Sequence, residues 1–206
     1  MSPDGKAGRS CFLIVTRGES EIKWQVFIMR EEEKSQIYLT ALFGKETADA
    51  LSPVSAALAG AGLTGRQSTN IPHITLGRVP DAGGAEIMRR VRTICVQTAA
   101  FEIKINHVGL FGQDVLFAGM AANHELLQLR SSLFPDEQTA GAHNWVAHIT
   151  LFIDIPDNVC EAIPIVTKTF KPFTARIEKV GVFAFPPAKF IETVSLAQGH
   201  RVEADG

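Results

Sequence analysis

A chain of 206 residues with 46% apolar side chains, 20 basic and 22 acidic groups and a net charge of −2 has the composition of one large globular domain or two small ones. Its near-neutral balance offers no global field to duplex DNA or an anionic membrane, although a few local groups can still hold a small phosphate. Cys11, Cys95 and Cys160 are too widely spaced for a disulfide framework or zinc knuckle, and neither a signal peptide nor a membrane-length apolar run is legible, so a cytoplasmic protein with reduced thiols is expected.

Residues 1–9 read as a loose start, rich in Gly, Pro and charge. Two β-rich runs, Cys11–Thr16 and Ile22–Arg30, are separated by turn residues and predict a hairpin added at a sheet edge. Residues 31–34 are a charge run, read as a solvated turn. Ile37–Phe43 has the form of a buried strand closed by Gly44. Lys45–Gly60 carries helix spacing, with Pro53 expected to break or restart it. A turn-rich connector leads to a strand at His73–Leu76. A helix over Ala85–Gln97 and a strand over Phe101–Phe111 complete a first lobe. The second begins with a strand at Val115–Ala118 and a helix capped by Asn123, its apolar face formed by Leu126, Leu127, Leu129 and Leu133. A polar loop, 135–144, carries His143. A strand at His148–Leu151, a helix near Val159–Phe170 interrupted by Pro164, a strand over Phe173–Phe185 and a last strand at Lys189–Leu196 follow, then a polar tail over 197–206.

The order strand, helix, strand, helix, strand occurs twice, and the middle strands carry the same four residues: His73-Ile74-Thr75-Leu76 and His148-Ile149-Thr150-Leu151, 75 residues apart. Their surroundings repeat as well. Pro80-Asp81 and Pro156-Asp157 follow the two copies, each opening a stretch that could be a helix. The Phe, Ile and Val-Gly-x-Phe positions of Phe101–Phe111 recur in Phe173–Phe183. That is an internal duplication. The organisation expected is an extension over 1–36 and one domain over 37–196, with lobes at about 37–112 and 114–196. The fold class is α+β: a two-lobed, pseudo-symmetric fold with central antiparallel sheets forming a cleft and helices outside.

In a strand, residues two apart share a face. Ile74 and Leu76 therefore point into a core, while His73 and Thr75 point together to the other side, as do His148 and Thr150. Two imidazoles can serve as base and acid on opposite sides of a phosphorus near neutral pH. Two hydroxyls can donate to its non-bridging oxygens. Strict alternation turns Arg78 away from this face. His107, His124, His143 and His200 lack a repeated setting and read as structural. Zinc would need three or four ligands, and two histidines with threonines make a poor set. Phe43, Phe111, Phe183 and Phe185 read as core, with one or two at strand ends able to stack a base. The glycine of Val-Gly-x-Phe reads as a site of close backbone approach.

Paired His-x-Thr-apolar strands in a duplicated α/β lobe resemble the 2H phosphoesterase superfamily. Within it, Pro72 ahead of the first motif makes the chain most similar to the bacterial 2′-5′ RNA ligase / cyclic phosphodiesterase branch. The resemblance spans roughly residues 37–196. It implies metal-independent hydrolysis of a cyclic phosphate or 2′-5′ linkage on an RNA end or small nucleotide. It also implies His73 and His148 as the catalytic pair, Thr75 and Thr150 as substrate-binding residues, and no cofactor. A monomer acting on a small substrate, without duplex DNA or membrane as partner, is expected. Two other readings compete: a module that binds RNA ends or a cyclic nucleotide without turnover, and a reversible 2′-5′ RNA ligase.

Overall fold

Strands with one apolar face require a partner layer to bury it. The computed structural model, which describes residues 12–17, 22–27, 35–66, 71–80, 84–135, 145–185 and 189–198, supplies four helices for that purpose. In chain order the elements are β1 (Phe12–Arg17), β2 (Ile22–Phe27), β3 (Gln36–Phe43), α1 (Lys45–Gly60), β4 (His73–Pro80), α2 (Gly84–Gln97) and β5 (Phe101–Phe111). After these come β6 (Val115–Met120), α3 (His124–Leu133), β7 (His148–Ile153), α4 (Pro156–Thr169), β8 (Phe173–Phe185) and β9 (Lys189–Ser195). β1 and β2 pair antiparallel, as the sequence suggests, but form a two-stranded sheet of their own rather than an edge of the main one.

The other seven strands form one antiparallel sheet ordered β4-β3-β8-β5-β6-β7, with β9 also on β8. The fold is α+β. At 13 residues, β8 is long enough to hold β3 along one edge and first β5, then β9, along the other. The two sequence repeats are therefore not the two halves of the sheet. β8, from the second repeat, closes the half that holds β3 and β4, whereas β5, from the first, closes the half that holds β6 and β7. The repeats exchange their last strands, which joins the two expected sheets into one. Its terminal strands, β4 and β7, come to lie beside each other.

One face of the sheet is apolar. Leu39, Ala41, Ile74, Leu76, Ala118 and Ile149 are buried there with Ile87, Val91 and Cys95 of α2 and Leu126, Leu129 and Leu133 of α3. A second cluster sets Val54 and Leu58 of α1 and Val159, Ala162 and Val166 of α4 around Leu116 and Phe152. Leu127, expected on the buried face of α3, is instead 49% exposed, because helical spacing turns it away from Leu126, Leu129 and Leu133.

Neither internal proline breaks its helix. Pro53 has no N–H for the carbonyl of Asp49, one turn back, and the Ser52 hydroxyl donates to that carbonyl at 2.8 Å instead. Around Pro164, the carbonyl left without its N–H belongs to the exposed Cys160. Pro156 begins α4, where a missing N–H costs nothing, but Pro80 is the last residue of β4. Asn123 caps α3 as expected, its side-chain oxygen accepting from Leu126 N at 3.1 Å.

Candidate active site

Both tetrapeptides become strands that begin at the histidine. Ile74, Leu76 and Ile149 are buried, at 0%, 0% and 2% exposure. His73, Thr75, His148 and Thr150 are half-buried on the opposite, open face of the sheet. The two imidazoles make the same local bond: His73 Nδ1 lies 2.9 Å from Ile71 O, and His148 Nδ1 lies 2.7 Å from Val146 O. A carbonyl can only accept, so each Nδ1 carries the proton and each Nε2 is the nitrogen left for chemistry.

The duplication extends to a defect. Leu39 and Thr40 are consecutive in β3 but pair with Gly77 and Thr75, which leaves Leu76 as an extra residue in β4. Leu116 and Phe117 pair with Phe152 and Thr150, which leaves Leu151 over in β7. Such a bulge resets the alternation. Arg78, turned away by strict parity, returns to the open face opposite Tyr38, and its Nη1 donates to the Tyr38 hydroxyl at 3.4 Å. The signal was present in the sequence: each threonine is followed by two residues, Leu76-Gly77 or Leu151-Phe152, that suit the core side. Phe152 fills its own core position, whereas at Gly77 the ring of Phe134 occupies the space a Cβ would take, with its nearest carbon 2.7 Å from that point.

Around His148 the open face is aromatic. Phe111 and Phe117 stack at 4.3 Å between centroids, and the His148 ring stands edge-on to Phe111 at 4.8 Å and tilted to Phe117 at 5.4 Å. Phe117 can lie this way because its strand neighbour Gly109 has no side chain; a Cβ there would overlap the ring. Gly181 of the other repeat is equally hemmed in, by Phe183, Thr40 and Leu42, so both Val-Gly-x-Phe glycines are places of close approach. Desolvation lowers the His148 pKa below its ordinary value and the nearby His73 lowers it further, while the bond to Val146 O opposes them.

His107 also belongs to this face, although no repeat singles it out. It pairs with Gly119, and Gly119 pairs with His148, so the three stand in one row across β5, β6 and β7. The His107 ring covers Gly119, and its Nδ1 is held by Asn106 Oδ1 at 2.8 Å. His124 starts α3 on an exposed turn; His143 and His200 lie outside the described residues.

The outer edge of β4 is closed by side chains from the second repeat. Trp145 Nε1 donates to Thr75 O at 2.9 Å, and Arg130 Nε donates to Leu76 O at 3.0 Å. The Arg130 guanidinium lies over the Trp145 ring at 4.8 Å.

Residues 64–182 match the model of a family described as the 2′-5′ RNA ligase superfamily. No curated protein matches the sequence. Among solved structures, E. coli LigT in apo form is similar at 18% identity and a TM-score of 0.56, with 81% of this chain and all of LigT covered. LigT complexed with 3′-AMP gives 17% identity and a TM-score of 0.56 over the same shares. TT0787 of Thermus thermophilus gives 18% identity and a TM-score of 0.55, covering 80% of this chain and all of TT0787. These likenesses establish a shared fold.

Proposed function

The chain belongs to the 2′-5′ RNA ligase superfamily, and we propose that within it this protein is a metal-independent phosphodiesterase, hydrolysing a cyclic phosphate or 2′-5′ linkage of an RNA end or small nucleotide. The observation that carries the reading is the repeated Nδ1–carbonyl bond of His73 and His148, which frees Nε2 of both rings for proton transfer.

In this reading His148 is the base, since its desolvated, aromatic setting favours the neutral imidazole. Its Nε2 takes a proton from water as the water oxygen bonds to phosphorus. The bond from phosphorus to the ribose oxygen breaks, and protonated His73 gives that oxygen its proton, leaving a phosphomonoester and a free hydroxyl. Thr75 and Thr150 donate to the non-bridging oxygens, where charge builds in the transition state. That LigT has been crystallised with 3′-AMP, ATP and NADP+ supports a nucleotide substrate.

The family's name favours one alternative, ligation, in which a hydroxyl of a second RNA end takes the place of water, bonding to phosphorus as the P–O bond of the cyclic phosphate breaks, with the same two proton transfers. Incubation with 2′,3′-cyclic AMP, a 2′-5′ dinucleotide and a cyclic dinucleotide, followed by chromatography, tests the proposal. A phosphomonoester product from at least one is expected; no turnover of any of them would overturn the reading.

A further inference from the structure

Strand register lines up the open face of β4, β3, β8 and β9 in rows. Thr75 stands level with Thr40, Gly181 and Thr193; the next row along the strands is Arg78, Tyr38, Phe183 and Phe190. A cation followed by three aromatic rings thus crosses four adjacent strands beside one of the two histidine–threonine pairs. The rings do not pack as a core would. Phe190 is 58% exposed and stands edge-on to Phe183 at 5.5 Å. Phe185, which the sequence assigned to the core, is 44% exposed and edge-on to Tyr38 at 6.3 Å. Arg78 and Lys179 are exposed on the same face.

We infer that this row is a nucleobase-stacking platform, and that the substrate is the end of a single-stranded oligonucleotide rather than a mononucleotide. The inference rests on the phosphodiesterase reading of the adjoining site. Rings displayed on a sheet face offer a surface that any base can stack on, and neighbouring guanidinium and ammonium groups hold the backbone phosphates. Distance separates an oligomer from a mononucleotide. Two residues along a strand span about 7 Å and three strand spacings about 14 Å, so Phe183 and Phe190 lie beyond a base attached at the scissile phosphate. Bases one and two nucleotides upstream would reach them.

The test compares the full chain with Phe190→Ala and Phe190→Leu on three substrates: 2′,3′-cyclic AMP, an RNA pentamer ending in a 2′,3′-cyclic phosphate, and the same pentamer with abasic upstream nucleotides. Loss of a base–aromatic stack lowers affinity by about 5- to 150-fold. The wild type should therefore prefer the intact pentamer, through KM, and both variants should lose that preference by such a factor. Equal kcat/KM on intact and abasic pentamers would overturn the inference. So would variants that keep the preference, or variants whose melting temperature collapses, which would mark Phe190 as packing. If no substrate turns over, the hydrolase reading fails on its own. Fluorescence anisotropy with a labelled 3′-phosphorylated pentamer then decides the platform: weaker binding by the variants supports it, and equal binding overturns it.

Discussion

Trp145 Nε1 donates to the carbonyl of Thr75 at 2.9 Å, so a residue three places ahead of the second histidine is bonded inside the first motif. The contact spans 70 residues of sequence and joins the two strands that must hold their histidines at a fixed separation. Trp145→Phe keeps much of the ring and removes the donor. It should cost about 1–3 kcal/mol, the penalty of a partly buried carbonyl left unpaired. It should also lower kcat more than it raises KM, since in the proposed mechanism the separation of the two imidazoles matters most in the transition state. Denaturant melts and steady-state kinetics check both parts; unchanged kcat would show that other contacts set the spacing.

His73→Ala and His148→Ala should each reduce turnover by about 10²–10⁴-fold, the range for loss of a general acid or base. Neither should unfold the chain, because both rings sit on the open face, held by a local backbone bond and, for His148, by contact with Phe111 and Phe117 rather than by the core. Near-wild-type activity in either variant would refute the two-histidine mechanism.

Thr75→Ala and Thr150→Ala should cost less, up to about 2.7–4 kcal/mol of transition-state stabilisation by comparison with single oxyanion donors. The loss should appear in kcat/KM with circular dichroism unchanged. A collapsed spectrum would assign these threonines to structure.

Much of this arrangement is legible in the sequence, and the departures share a cause. Strand and helix placement follow from period and capping, which are local. Arg78 escapes a parity argument because a bulge is fixed by the partner strand: Leu76 is extra only relative to Leu39 and Thr40. The exchange of β5 and β8 between repeats is invisible because either strand, having the same Phe and Val-Gly-x-Phe pattern, could close either half. Pro53 is overweighted because the rule for proline in a helix ignores a neighbour such as Ser52 that can satisfy the stranded carbonyl. His107 escapes notice because its setting depends on Gly119, the β6 residue that stands between it and His148.

Gly77 and Gly119 should respond differently to alanine. At Gly77 the new Cβ meets the ring of Phe134, which is 5% exposed and fixed in the core. Overpacking of that kind costs about 1–3 kcal/mol, or roughly 2–12 °C in Tm for a chain of this size. At Gly119 it meets the exposed ring of His107, which can turn outward. Thermal melts should therefore rank Gly77→Ala well below Gly119→Ala; the reverse order would contradict the packing described for Phe134.

Phe111 should set the acid limb of the pH profile through His148. Burial against Phe111 and Phe117 penalises the imidazolium, so its pKa lies below the ordinary value of about 6.5. In the proposed mechanism the neutral ring is the base, so activity should persist below about pH 6.5 before protonation removes it. The same shift affects stability. The unfolded chain takes up the His148 proton first, so this group's contribution to stability declines as pH falls below about 6.5 and levels off below the folded pKa. Phe111→Ala admits water beside the ring, lessens the desolvation and raises the pKa. The acid limb of kcat/KM should move to higher pH, and the stability loss in the same window should shrink. Kinetic profiles for both proteins, with an NMR titration of the His148 ring protons, separate this from a simple loss of activity, because the midpoint is independent of the plateau. An acid limb that stays in place or moves lower in Phe111→Ala would remove His148 as the base.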